Sequence, residues 1–558
     1  MVQKIIALWE KEWNGLHTAA YLIAGFTFVA QLLAIVRDRL LAHMFGAGSE
    51  LDVYYAAFRI PDFLYVAIAS LVSISVLIPF LAERLRPENT EEAKRFIRGA
   101  FTFFALTIGG GSLLAFFAVP ALSNIWVPGF SEAQRDLFVS LTRLLLLSPI
   151  LLGISSILGS VVQVYRKFFV YAIAPVVYNI GIILGIVLFA DSFGMYGVAW
   201  GVVLGASLHL LIQLPVFFSH GFSLGFERLS LSELRNVISL ALPRTIALSA
   251  ANLSFISLIA AASFLADGSI AVFTFAFNLQ SVPLAIIGVS YSIAAFPTLA
   301  RLTALGAAKE FAAHVSLAAR HILLWSIPVI VLFVVLRAQI VRVTLGSGLF
   351  DWTDTRLTAA TLALFVISLA AQGIALLLTR AFYAAGKTKI PLFVNVGASS
   401  IAAVSGIGGA FFLHTSNMAR LFMEDVLRIS YVPGSEVVIL AAAYAIGQIV
   451  AGILLFLFFR RDVPGFSLSL GKSFFQITAA SLVMGAVAYY TLIFSAPFLN
   501  TDTFLGIFTQ GACAGMLGVA AGIAMLVILD NREVREVAGA LHRRMRPATI
   551  IAPDQEEL

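Results

Sequence analysis

The chain has 558 residues, of which 60% are apolar and 12% charged, with 47 Phe and a net charge of +6. A soluble chain of this length would carry about 25% charge, so a soluble multidomain enzyme is excluded. The single cysteine, Cys513, excludes an intramolecular disulfide and a cysteine metal cluster.

The N-terminus, MVQKIIALWEKEW, is mixed and amphipathic and carries no basic–apolar–cleavage pattern, so no removable signal peptide is expected. Beyond it, apolar runs of about 20 residues recur, each long enough to span roughly 30 Å of hydrocarbon as a helix. Fourteen crossings are predicted, at 17–45, 52–82, 97–124, 136–163, 169–190, 196–218, 235–265, 270–299, 311–336, 357–382, 389–413, 436–459, 472–496 and 504–529. Bilayer-embedded backbone must satisfy itself internally, which long apolar runs do as helices. The fold class is an all-α polytopic membrane protein.

Basic residues orient it. With the N-terminus cytoplasmic, 23 of the 36 Lys and Arg fall on the cytoplasmic side, among them Arg84, Arg166, Arg228, Arg301, Lys387, Arg460 and Arg543, and six in the opposite loops. That asymmetry places both termini in the cytoplasm, and a basic inner face suits anionic lipid without nucleic acid.

The chain also repeats. Pro79 and Pro297 open P-x-L-A motifs 218 apart, Pro175 and Pro391 open P-x-x-x-N motifs 216 apart, and Tyr165 and Tyr383 are 218 apart. An offset spanning six helices predicts two parallel six-helix lobes around a central cavity, a transporter architecture. The expected divisions are a first lobe at 1–230, a second beginning in 231–430 with its last helix reaching about 460, two extra helices at 465–530 and a cytoplasmic tail at 531–558. Gly- and Ala-rich spans such as GGGSLLAFFA and AAAYAIGQIVAGI would let helices pack closely or slide; the alternative is plain tolerance of glycine.

Charges inside such runs cost several kcal/mol unless they pair or face water. Arg37, Asp38, Arg59 and Asp62 flank the turn FGAGSELD and are candidates to line and brace the outer part of the central cavity and contact substrate. Neighbours on a helix point about 100° apart, so Arg37 and Asp38 are not expected to face one direction. Arg37, deepest in its run, is the candidate cavity cation, and arginine suits phosphate recognition. Arg244, after Pro243, is a second candidate, with snorkelling to headgroups as the alternative; snorkelling is also the expectation for Arg143, Arg320 and Arg380. No paired histidines, paired loop aspartates or G-x-x-x-x-G-K-S/T motif appear, so no metal, cofactor or catalytic role is expected.

The stretch RDRLLAHMFGAGSELDVYYAAFRIPDF, with IPFLAERL, VPGF, APVVYN, SFLADGS and TRAFYAAGKTKIP following in order, resembles the MurJ/MviN family, lipid II flippases of the multidrug/oligosaccharidyl-lipid/polysaccharide exporter superfamily. The resemblance implies fourteen helices, a final pair forming a groove for a lipid tail, and alternating-access movement of a polyprenyl-pyrophosphate-linked peptidoglycan precursor from the inner to the outer leaflet of the bacterial cytoplasmic membrane. It implies a monomeric transporter whose partners are that lipid and the membrane. The family's first-helix Ser-Arg pair is Ala30 and Gln31 here, its later paired arginines are Tyr65 and Val66, and its eighth-helix arginine is Asn278. Of the cavity arginines only Arg37 remains, so Gln31 and Asn278 would assist it by hydrogen bonding. Export of another lipid-linked glycan or a small molecule, or a scaffolding role in envelope synthesis, stays open.

Overall fold

The computed structural model describes residues 16–69, 77, 81, 90–463, 466 and 470–536. The predicted motif at Pro79 lies outside them, as does the side chain of Arg244. No strand occurs among the described residues.

The first lobe comprises α1 (Leu16–Phe45), α2 (Ser49–Ala57), α3 (Arg59–Leu64), α4 (Thr90–Trp126), α5 (Glu132–Leu145), α6 (Leu147–Val164), α7 (Phe168–Phe193), α8 (Met195–Leu211) and α9 (Leu214–Ser219). The second comprises α10 (Leu231–Ala262), α11 (Ser269–Leu284), α12 (Ser290–Ala304), α13 (Ala308–Thr344), α14 (Trp352–Ile367), α15 (Leu369–Ala384), α16 (Lys389–Thr415), α17 (Asn417–Leu427) and α18 (Val438–Asp462); α19 (Leu470–Ser495) and α20 (Phe504–Ile528) follow. Among the described residues ten helices are long and apolar enough to cross a membrane, and α14–α15, bent by 43°, make an eleventh. The other three predicted crossings fall on α1, on the segment from Ser49 that runs out of the described residues, and on α10.

The repeat shows in the backbone. A π-helical turn at Tyr65–Ala69 is matched by one at Ala285–Val289, 220 residues on. Proline upstream explains the second, because Pro283 lacks an N–H and crowds the preceding turn, which the wider π turn relieves. Capping boxes open α5 at Ser131 with Gln134, and α14 at Asp351 with Asp354, again 220 apart. The breaks after α5 at Leu146 and after α14 at Ser368 also correspond. The geometric offset is thus 220 to 222, slightly longer than the 216 to 218 of the sequence motifs.

Glycine packing follows both expectations, at different places. A Cβ on Gly185 would lie 2.2 Å from Gly201 Cα, and one on Gly181 2.3 Å from Gly205 Cα, so α7 and α8 touch backbone to backbone. At Gly109 and Gly110 a Cβ would meet nothing within 4 Å.

Several details depart from the sequence reading. The crossing expected over 52–82 begins at Ser49 and breaks at Phe58. Between the eleventh and twelfth crossings stands an unexpected amphipathic helix, α17, whose N-terminus is capped by the Ser416 side chain. Arg320 does not snorkel; its Nε lies 3.5 Å from Oε1 of Glu533, whose side chain is 3% exposed, tying α13 to the segment after α20.

The core is distributed unevenly. The largest buried cluster joins both lobes, setting Leu51, Tyr54 and Ile186 with Phe273, Phe350 and Phe365. Two other clusters are nearly private to one lobe each, around Phe96, Phe104 and Phe217 in the first and around Phe311, Phe382 and Phe459 in the second. Buried apolar area is the main cohesive term, so the lobes are fused at one end and stand on separate cores at the other.

Candidate functional site

At the fused end, which the sequence reading assigns to the outer face, the lobes meet through turns. Gly46, Gly268 and Gly348 all have positive φ. A Cβ on Gly268 would lie 1.9 Å from Ala47 O, and one on Gly348 2.2 Å from His43 O, so these turns approach as only glycine permits. Buried Asp52 accepts from the backbone N–H of Gly268 and of Ala271, both at 2.7 Å, capping the N-terminus of α11 from across the lobe boundary. Ala47 N donates to Asp354 Oδ2 (3.1 Å), Leu349 N to His43 O (2.9 Å), Gly129 N to Ser263 Oγ (3.1 Å) and Gln134 Nε2 to Asp267 Oδ1 (3.1 Å).

Directly below this seal is a cavity of 110 Å³ whose lining includes Gln31, Arg37 and Asp38 of α1 with Asn278 and Ser281 of α11. Four of the sequence-predicted residues therefore converge on one space between the lobes. Arg37 folds back on its neighbour, with Nε and Nη2 donating to Asp38 Oδ1 at 3.0 and 2.8 Å. This corrects the expectation that adjacent helix positions diverge: the Cβ vectors do, but three methylenes let the guanidinium return. Asn278 Nδ2 donates to the other oxygen, Asp38 Oδ2, at 2.9 Å. Asp38 is thus a buried bridge between α1 and α11, and Arg37 is paired rather than free. Two of the five guanidinium N–H groups are used on Asp38, which fixes the plane of the fork and leaves three donors.

Arg59 and Asp62 do not line this cavity. Arg59 Nε donates to Tyr55 O (3.2 Å), its guanidinium stacks 4.5 Å over the Phe255 ring of α10, and Asp62 is 3.9 Å away. They hold the α2–α3 break against the second lobe. Arg143 is also held in place, donating to Phe116 O and stacking on the Phe116 ring. Sequence reasoning missed the seal residues Gln134 and Asp354 and the lining residue Ser281. Their one legible signal was the pair of capping boxes 220 apart.

At about 30 Å³ per water, the cavity has room for some four waters. It accommodates a phosphate-sized anion against Arg37 but no saccharide. Among the described residues no group of His, Cys, Asp or Glu could hold a metal ion.

Two parallel helical lobes joined around a small cavity that holds the Arg37–Asp38 ion pair, closed at one end, define a membrane transporter of the multidrug/oligosaccharidyl-lipid/polysaccharide exporter class. The fold is similar to an inward-facing multidrug resistance MATE family transporter of the MOP superfamily (TM-score 0.61, 15% identity, covering 78% of this chain and 95% of that one). It is also similar to a structure described as lipid II flippase MurJ in an inward closed conformation (TM-score 0.71, 23% identity, covering 93% and 100%). The chain belongs to the lipid II flippase MurJ family, whose pattern matches residues 41–509. The lipid II flippase MurJ of Burkholderia cenocepacia is 24% identical over 509 residues, covering 86% of this chain and 90% of the relative.

Proposed function

We propose that this protein moves lipid II, a polyprenyl-pyrophosphate-linked peptidoglycan precursor, from the inner to the outer leaflet of the bacterial cytoplasmic membrane by alternating access. Family membership supports the cargo, and the observation that carries the site is Arg37 held in an interlobe cavity with three donors to spare. Both termini lie in the cytoplasm on this reading, so the fused end is the outer gate and the separate cores flank an inward-facing opening. The lobes divide near residues 230 and 460, the protein acts as a monomer, and it makes or breaks no covalent bond.

The pyrophosphate enters between the separated cores and reaches Arg37, whose fork Asp38 has oriented. A second anion there competes with Asp38 for Asn278, weakening the Asp38–Asn278 bridge that joins the lobes. Release of the outer contacts, coupled to closure of the separate inner cores, then exposes the cavity and its headgroup to the other side.

A second reading, export of a cargo without pyrophosphate, is favoured by one observation: Arg37 and Asp38 together are neutral. Transport of fluorescent lipid II in proteoliposomes tests the choice. Protein-dependent transfer that stops when Asp52→Cys and Ala271→Cys are cross-linked in a Cys513→Ala background, and resumes on reduction, is the expected result. Absence of any protein-dependent transfer would move the assignment to another cargo.

A further inference from the structure

A second cavity, of 550 Å³, lies where α13, the start of α14 and the α19–α20 loop meet, lined in part by Gln339, Arg342, Trp352, Asp502 and Gln510. It is separate from the Arg37 cavity and has no part in the flipping mechanism above. Its floor is satisfied: Gln510, 6% exposed, donates to Leu492 O at 3.1 Å and accepts from Gln339 Nε2 at 3.4 Å. Its rim is not. Arg342 makes one long bond, Nη1 to Phe350 O at 3.4 Å, which leaves most of its fork unused. Asp502 is positioned by its backbone, its N–H donating to Asn500 Oδ1 at 2.9 Å while Thr503 caps α20. Arg342 and Asp502 line the same cavity, yet among the described residues they form no ion pair with each other.

Two opposite charges held on separate elements of one cavity, with no ion pair between them, match a ligand that carries both charges. The surroundings say which kind. Trp352 is half-exposed at the cavity edge, where an indole suits a membrane–water boundary. Phe498 and Phe504, which flank the loop carrying Asp502, are exposed apolar side chains that acyl chains can cover. We propose that this cavity seats the headgroup of a zwitterionic phospholipid bearing a primary ammonium, with the phosphate on Arg342 and the ammonium on Asp502. A purely anionic headgroup would bring its charge against Asp502, and an uncharged glycolipid would leave both ions unsatisfied. The seated lipid would fill the space between the second lobe and the C-terminal pair.

The test is native mass spectrometry of the full chain titrated with phosphatidylethanolamine or phosphatidylglycerol, for wild type, Arg342→Gln, Asp502→Asn and the exchanged pair Arg342→Asp/Asp502→Arg. One charged hydrogen bond corresponds to about a tenfold change in binding. Wild type should prefer phosphatidylethanolamine by about that factor, Asp502→Asn should lose the discrimination, Arg342→Gln should weaken both lipids, and the exchange should restore the preference. Equal retention of the two lipids by wild type, or a preference surviving both single substitutions, would overturn the proposal.

Discussion

Gln134 and Asp354 occupy the same place in the two lobes, 220 residues apart, and each reaches across to the turn of the other lobe. Gln134, third in α5, donates to Asp267; Asp354, third in α14, accepts from the backbone N–H of Ala47. Ala47 and Asp267 are themselves 220 apart, so the seal is built from one contact used twice about the lobe pseudo-axis. The duplication has diverged in chemistry while keeping the geometry.

That divergence makes the two halves unequal in strength. Both contacts end on a carboxylate, but Asp267 is exposed to water, whereas Asp354 is partly buried and also receives the N–H of Asp351 at 3.3 Å. Asp354→Ala should destabilise the closed outer gate by about 1.5–3 kcal/mol and Gln134→Ala by about 0.5–1.5. Accessibility of a cysteine placed at Ser281 to a membrane-impermeant maleimide from the outer side, in a Cys513→Ala background, measures both.

Asp52 has no counterpart, since the equivalent residue is Val272. Its two backbone acceptor contacts exist on one side only. Asp52→Asn keeps one acceptor oxygen but turns an amide donor toward a backbone N–H. The same accessibility assay should show outer opening increased at least tenfold, consistent with about 1.5–3 kcal/mol per charged hydrogen bond.

Gly268→Ala should act the same way by a different route. With φ at +89° and a Cβ 1.9 Å from Ala47 O, the turn must move away from the first lobe. Left-handed backbone costs an L-residue about 1–2 kcal/mol before any clash is counted, so a lower Tm should accompany the greater outer accessibility.

Arg320 and Glu533 should behave as a buried pair. Removing either partner alone leaves an uncompensated charge and should cost about 3–5 kcal/mol, while a double replacement by Met and Leu should cost far less. A thermal-shift double-mutant cycle reads the difference.

Much of this architecture was legible beforehand. The long apolar runs mark the helices, the recurring proline motifs mark the duplication, and Gln31, Arg37, Asp38 and Asn278, all readable as polar positions in apolar runs, line one cavity. What escaped detection shares a physical cause: it depends on tertiary neighbours. Nothing in YVAIA or AIIGV spells a π turn. The apolar face of α17 is short enough to read as a loop. Arg59 looked like a cavity cation because only the folded chain sets Phe255 beneath its guanidinium. Arg37 looked unpaired because helix geometry constrains Cβ directions and not the end of a long side chain.

Binding of the cargo's pyrophosphate by Arg37 is tested most directly by native mass spectrometry of lipid II with wild type and Arg37→Gln, with undecaprenol as the neutral control. Glutamine can keep a hydrogen bond to Asp38 while removing the charge and the spare guanidinium donors, and Tm reports whether folding is intact. Wild type should retain lipid II over undecaprenol, and Arg37→Gln should lose at least about tenfold of that binding. Equal binding by the variant, or no preference in wild type, would contradict it.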